Sequence, residues 1–214
     1  MTLTKQEAFR RIRLGGLLIY PTETFFGIGC RADDASAVKR VFECKRRSLS
    51  MPLPVILGST EQLGLVARPG PELAEDIALL ARFWPGPLTL LLPAVSGLPE
   101  ALTGGSGRIA ARVSSHSAAR ELALACDFPI VSTSANVSGR SAVTSCDALD
   151  PELLAALNPE IDGVFDAPPA PGGGEASTIA EPLGGRRLNL LRQGALPVSS
   201  LEKAGFTLVS SASA

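Results

Sequence analysis

The sequence predicts an α/β protein built on a mixed sheet. Three observations carry that reading. Apolar runs of strand length alternate with segments that open on helix-capping residues. The strand-like runs at 163–166, 177–180 and 187–192 follow one another with little helix between them, which does not suit a purely parallel sheet. A chain of 214 residues, 45% hydrophobic, is long enough for one domain, 1–214, with a real core.

The elements follow in order. Thr4-Lys-Gln-Glu7 is a capping box, so a helix begins there and stops at Gly15-Gly16. Leu17 to Tyr20 reads as a buried strand. Asp34 caps a helix through about Cys44. Leu53 to Leu57 is strand-like, and Pro54 suits an edge or a bulge. Ser59-Thr-Glu-Gln62 is a second capping box, opening a short helix. Pro71 starts a helix to about Phe83, which Trp84-Pro-Gly-Pro87 breaks. Leu88–Leu92 and Arg108–Val113 are strands. A helix over Ala118–Cys126, with His116 at its start, precedes a strand at Pro129–Val131. Asp150-Pro151 starts a helix ending near Leu157. Ser199-Ser-Leu-Glu202 caps a last short helix before a strand at Phe206–Val209, and Ser210–Ala214 is expected to fray.

Charge and composition exclude several classes. The 20 Lys and Arg balance 21 Asp and Glu, and a net charge of −1 argues against tight, nonspecific binding of long nucleic acid. A local basic patch remains at Lys39, Arg40, Lys45, Arg46 and Arg47. The four cysteines form no CxxC pair and there is one histidine, so neither a zinc site nor a disulfide framework is expected; the thiols read as reduced and mostly buried. The N-terminus lacks the apolar stretch of a signal peptide and no run approaches the ~18 residues of a membrane span, which predicts a cytoplasmic protein with no membrane partner.

Chemistry concentrates in three places. Ile19-Tyr-Pro-Thr-Glu-Thr-Phe-Phe-Gly-Ile-Gly29 breaks from an apolar run into hydroxyls and a carboxylate, which delivers polar groups to a sheet rim. Lys45 and Arg47 follow the second helix. They read either as a solvated helix end or as cations for a triphosphate. Ser132, Ser134 and Asn136 follow an apolar run with a spacing of two, and would face one side if the chain stays extended; the alternative is a Ser/Asn-rich turn. Together the three suggest a site for a phosphate-bearing small molecule. Gly27-x-Gly29-x-x-Ala32 is a poor dinucleotide fingerprint, there is no P-loop, and no GxSxG elbow supports a Ser–His nucleophile. Arg112 ends an apolar strand and calls for a paired carboxylate. The loop 167–174, rich in Pro and Gly, is either a flap over a site or an inert surface loop.

These motifs, with Trp84-Pro-Gly-Pro-Leu-Thr-Leu90, Ala110-Ala-Arg112, Ser134-Ala-Asn136-x-Ser-Gly139, Ser177-Thr-Ile179 and Leu191-Arg-Gln-Gly194, occur in the order seen in the YrdC/Sua5 family. The chain resembles the short, single-domain form of that family from about residue 8 to 197. The resemblance implies a YrdC-like twisted mixed sheet with flanking helices and a large concave basic cavity. It implies an L-threonylcarbamoyladenylate synthase, a nucleotidyltransferase acting on L-threonine, bicarbonate or CO2, and ATP with its Mg2+, at the start of threonylcarbamoyl modification of tRNA. It places Lys45, Arg47, Ser134, Asn136 and Arg192 on ATP, with Lys45 and Arg47 catalytic, and Thr22, Arg112, Ser132 and Ser177 on threonine, with no resident metal. The cations are expected at the rim, with Arg46 pointing elsewhere. tRNA and downstream threonylcarbamoyl-transfer proteins are the further partners it suggests. Larger members carry a C-terminal domain for which this chain ends too early.

Ser48, Met51 and Arg108 depart from the family pattern at places expected near the nucleotide. Two rivals share the fold. One is a noncatalytic, double-stranded-RNA-binding protein of the YciO type. The other is the carbamoyl-transfer enzyme of hydrogenase maturation, whose zinc-binding cysteine pairs and acylphosphatase segment are not seen here.

Overall fold

Capping fixes where most helices begin. In a computed structural model that describes residues 2–209, Thr4 and Glu7 form the reciprocal box that opens α1 (Lys5–Arg13): Glu7 N donates to Thr4 Oγ1 at 3.3 Å and Thr4 N to Glu7 Oε2 at 2.9 Å. The 210–214 tail, expected to fray, lies outside the described residues. Asp34 opens α2 (Ala35–Lys45) by accepting from Ala37 N at 2.9 Å. α3 (Ala74–Leu80) and α4 (Glu100–Thr103) are short. His116 caps α5 (Ser117–Ala125) through Nδ1, which accepts from Ala118 N at 3.2 Å. Its proton therefore sits on Nε2, which donates to the Pro169 carbonyl at 2.8 Å. Asp150 caps α6 (Pro151–Ala155), and α7 is Val198–Lys203.

Three expectations of capping need correction. Ser59 makes no cap; Gln62 instead accepts from Gly58 N and donates to the Ala123 carbonyl, fastening a 3-10 turn over Thr60–Leu65. The segment opened by Pro71 splits into 3-10, α and 3-10 pieces, with α-helix over Ala74–Leu80 alone. Pro197, not Ser199, stands at the start of α7.

The strands are β1 (Leu18–Pro21), β2 (Phe26–Gly29), β3 (Val55–Leu57), β4 (Leu88–Pro93), β5 (Arg108–Val113), β6 (Ile130–Val131), β7 (Thr133–Ser134), β8 (Gly163–Val164), β9 (Thr178–Pro182), β10 (Arg187–Arg192) and β11 (Thr207–Val209). They form a four-stranded sheet, β7-β2-β1-β8, and a seven-stranded sheet, β11-β10-β9-β4-β5-β3-β6. Both mix directions: β1 runs antiparallel to β2 but parallel to β8, and β4 antiparallel to β5 but parallel to β9. β3 lies between β5 and β6, so it is not the edge that Pro54 suggested; the proline stands just before the strand, where no ladder amide is needed.

β2 was not expected as a strand. Its glycines explain it. A side chain at Gly29 would collide with the Val131 carbonyl, so glycine is what lets β2 approach the β6 chain. Gly29 thus serves the close packing of β2, and both glycines lie within a strand rather than in a phosphate-binding turn.

Two apolar clusters flank the seven-stranded sheet. One gathers Leu88, Leu90, Leu92, Ile109, Ala111 and Val113 against residues of α2, α3, α4, α6 and α7. The other packs Ile56 and Ile130 with Tyr20, α1 and α5 on the opposite face. All four cysteines are free; Cys30, Cys44 and Cys126 are buried, and burial raises their thiols. Among the described residues no helix is long and apolar enough to cross a membrane.

A buried carboxylate ties α2 to the start of the small sheet. Asp162, 2% exposed, accepts from Leu17 N at 2.7 Å and Asn158 N at 2.8 Å and pairs with Arg40. Asp162→Ala leaves the partly buried Arg40 without its carboxylate partner and two amides unpaired. It is expected to lower unfolding free energy by about 3–5 kcal/mol, measured by urea denaturation; a loss below about 1 kcal/mol would contradict this account.

Candidate active site

Strand alternation builds the site. On β4 and β5 every second side chain enters the helix-covered core, and the residues between them, Thr89, Leu91, Ala110 and Arg112, face the other way. At the β3–β6 end that second face is covered by α1 and α5. Towards β4, β9 and β10 it lines a cavity of about 560 Å3, within the range of small-molecule sites. The β1–β2 turn, the 50–55 segment and the 132–134 segment complete its walls. Among the described residues the lining includes Arg47, Arg112 and Arg192 and no carboxylate side chain.

The β1–β2 turn is closed by Thr22, whose hydroxyl donates to the Phe25 carbonyl at 2.7 Å while the residue lines the cavity. Next to it, Glu23 pairs with Arg112. This is the carboxylate partner that an arginine in an apolar strand calls for. Ser114 donates its hydroxyl to the second Glu23 oxygen. Burial lowers Arg112 to about 10, and the charge of Arg192 acts in the same direction. Arg47 and Arg192 are also lowered by burial. All three remain cations at neutral pH, and an anion in the cavity would restore what burial removes.

Lys45 is not at the rim as expected. It is 1% exposed, and Nζ donates to the Ser134 carbonyl and, at 2.6 Å, to the Asn136 carbonyl. It stands behind the cavity wall and holds the 134–136 turn. Burial, then the charge of Arg47, lowers it to about 8. Arg47 does line the cavity and donates to the Met51 and Pro52 carbonyls at 3.3 and 3.0 Å. Arg46, in left-handed conformation at φ 49°, points away and pairs with Glu152.

Ser132 and Ser134 line the cavity, but Asn136 does not join them. The extended run ends where Ala135 enters the core. Asn136 Nδ2 then donates to the Val137 carbonyl at 3.0 Å and the Arg140 carbonyl at 2.7 Å. Those two bonds set the amide's orientation and leave the buried Oδ1 without a partner.

On the opposite wall Ser177 and Arg192 touch. Arg192 Nη2 donates to the Ser177 carbonyl at 2.8 Å and hydroxyl at 3.2 Å, and Thr89 shares a hydrogen bond with Ser177 Oγ at 2.9 Å. A bulge between Leu190 and Arg192 in the β9–β10 ladder lets both Leu191 and Arg192 face the cavity. The 167–174 loop is bound to the β1–β2 turn: Gly172 N donates to the Glu23 carbonyl at 3.1 Å and Gly173 N to the Thr24 carbonyl at 2.8 Å.

Seven of the nine residues singled out from the sequence therefore share one cavity: Thr22, Arg47, Arg112, Ser132, Ser134, Ser177 and Arg192. Lys45 and Asn136 lie behind its wall. Of the three departures, Met51 lines the cavity, while Ser48 and Arg108 do not; Arg108 turns to Glu181. Sequence reasoning gave Glu23 and Thr89 no role of their own. Glu23 could have been found as the carboxylate that Arg112 needs, and Thr89 as a hydroxyl out of phase with the leucines of β4.

A largely apolar cavity on the open face of a mixed α/β sheet, with three arginines and several hydroxyls among its lining residues, is a small-molecule site suited to anions. The family model for Sua5, YciO and YrdC, described as "Telomere recombination", matches residues 10–194. The chain belongs to the Sua5/YciO/YrdC family. It is 40% identical to a threonylcarbamoyl-AMP synthase of Pyrococcus abyssi over 90% of its own length and 54% of that protein's, so it spans about half of that relative. It is 37% identical to a threonylcarbamoyl-AMP synthase of Xanthomonas euvesicatoria pv. vesicatoria over 85% of its length and 91% of that protein's. Among solved structures, P. abyssi Sua5 complexed with L-threonine matches with a TM-score of 0.82 at 34% identity, covering 98% of this chain and 61% of that one. E. coli YciO matches at 0.72 and 21% identity over 92% and 94% of the two chains, a likeness of fold.

Lys45→Met removes the donor shared by two carbonyls and is expected to cost about 1–3 kcal/mol of stability. Lys45 lies at about 8 in the fold and at an ordinary 10.5 when unfolded. Between those values the unfolded chain binds more protons, so the stability that depends on Lys45 rises with pH there. The advantage of wild type over Lys45→Met should widen from pH 8 towards 10 in urea titrations. An unchanged melting temperature would return Lys45 to the rim.

Proposed function

We propose that this chain is an L-threonylcarbamoyladenylate synthase. The amine of L-threonine adds to bicarbonate-derived CO2 to give a carbamate. A carbamate oxygen then attacks the α-phosphorus of ATP, the bond to the β-phosphate breaks, and pyrophosphate leaves with threonylcarbamoyl-AMP as product. No covalent enzyme intermediate is needed, so the protein works by positioning and by compensating charge. The observation that carries the reading is the cavity with three arginines and no acidic lining, in a chain that covers nine tenths of a relative named as this synthase.

Arg112, with Ser177, Ser132 and Thr22, is assigned to L-threonine. Arg47, Arg192 and Ser134 are assigned to the nucleotide, whose magnesium arrives as part of the substrate. Lys45 acts on the same anion through the carbonyls it fixes and through its charge behind the wall. The free Oδ1 of Asn136 offers an acceptor to the ligand if the 136–140 turn opens towards it. The contact between Ser177 and Arg192 joins the amino-acid and nucleotide parts, so Arg192→Ala is expected to weaken both ligands, and ATP more. The product would feed threonylcarbamoyl modification of tRNA in the cytoplasm.

The concave cavity with its three arginines favours this reading over the RNA-binding one, which needs a broad basic surface. Several exposed arginines are spent on carboxylates here, such as Arg140 on Asp150 and Glu152. Pyrophosphate release by the pure protein is expected to require ATP, L-threonine and bicarbonate together, with the adenylate visible by mass spectrometry. Release that is indifferent to threonine, or none under any condition, would sink the synthase assignment. Arg47→Ala should cut turnover by about 10²-fold or more, whereas Arg46→Ala should leave it within about 2-fold, because Arg46 is held by a surface ion pair.

A further inference from the structure

We propose that Glu23 is a positioning residue for the amino-acid substrate. It holds Arg112 so that the rest of the guanidinium is presented to the cavity, and it fastens the 167–174 loop beside the same wall. The proposal rests on the synthase reading and assigns a role to a residue outside the cavity lining.

Four observations converge on Glu23. Arg112 Nη1 donates to one carboxylate oxygen and Ser114 Oγ to the other, so the carboxylate is gripped from two sides. Ser114 is fully buried, and its oxygen also accepts from His116 N at 3.2 Å, which places the hydroxyl proton on Glu23. The Glu23 carbonyl accepts from Gly172 N at 3.1 Å, and the neighbouring Thr24 carbonyl from Gly173 N. His116, which caps α5, reaches the same loop through the Pro169 carbonyl at 2.8 Å. One short stretch thus joins the end of β5, the start of α5, the β1–β2 turn and the loop.

Arg112 itself is poorly served otherwise. Among the described residues, the one group it donates to is Glu23. Its remaining nitrogens are not among the buried atoms without partners, and the residue lines the cavity, so those N–H groups meet open space there. A guanidinium offers five N–H groups in a planar fork, and a carboxylate takes two of them in parallel. Glu23 holds the fork from one side and leaves the other for the carboxylate of an amino acid. Without Glu23 the side chain would be a buried cation free to change rotamer. The ordering would then fall on substrate binding. Glu23 does not line the cavity, so the effect passes through Arg112 and should appear in threonine affinity more than in the chemical step.

The test uses the full chain. Pyrophosphate release is measured with threonine varied at saturating ATP, then with ATP varied at saturating threonine, and threonine binding is measured by calorimetry. Glu23→Gln is expected to raise KM for threonine about 10-fold and to leave KM for ATP and kcat within about 2-fold, with Glu23→Ala larger in the same direction. Ser114→Ala, which frees one oxygen of the carboxylate, should give a smaller shift of the same kind. Unchanged threonine KM in both Glu23 variants overturns the proposal while leaving the synthase reading intact. So does a matched rise in both KM values with a fallen melting temperature, or failure of Glu23→Gln to fold, because either makes Glu23 merely structural. A wild type that neither binds threonine nor releases pyrophosphate defeats the synthase reading, and this proposal with it.

Discussion

A guanidinium carried on an interior strand is the constraint on which this structure turns. Arg112 sits on β5 between residues that enter the core, and burial opposes its charge. Such a group needs a carboxylate. Glu23 supplies it from the β1–β2 turn, and the strand-breaking Pro21-Thr-Glu-Thr24 run is what brings it there. The ion pair therefore joins the small sheet to the large one, and the loop 167–174 docks on the turn that carries it. The cavity wall is a consequence of satisfying that charge.

The electrostatics of the cavity follow from the same economy of groups. Glu23 is used up behind the wall, and among the described residues no carboxylate side chain lines the space. Arg47 and Arg192 face it with neutral carbonyl partners, and Lys45 adds a charge from below. Burial disfavours each of these cations, and a bound anion relieves that penalty. The site is thus arranged to accept negative charge without competing for it internally.

Much of this was legible in the sequence because the signals were local. The Thr4–Glu7 box, the Asp34 and Asp150 caps and the strand-length runs of β4 and β5 depend on residues close together in the chain, and they placed those elements within a few residues. The failures were of three kinds. Ser59 and Gln62 have the spacing of a box, but Gln62 finds better partners on Gly58 and Ala123, and no local rule reveals that. β2 was hidden by its glycines, whose role depends on how closely the β6 chain passes. Lys45 looked like a rim cation because it ends a helix, but its direction is set by the 134–136 turn, ninety positions further on. The grouping of Thr22, Arg47, Arg112, Ser132, Ser134, Ser177 and Arg192 came from family order; spacing alone could not have gathered residues from so many strands.

The most direct test is a crystal structure of this protein with L-threonine and a nonhydrolysable ATP analogue. The account predicts the threonine carboxylate on the open side of Arg112, with Glu23 still on the other side, and the phosphates against Arg47 and Ser134. Threonine bound elsewhere, or an Arg112 that has left Glu23 to meet it, would contradict the central claim that one buried ion pair organises both the fold and the site.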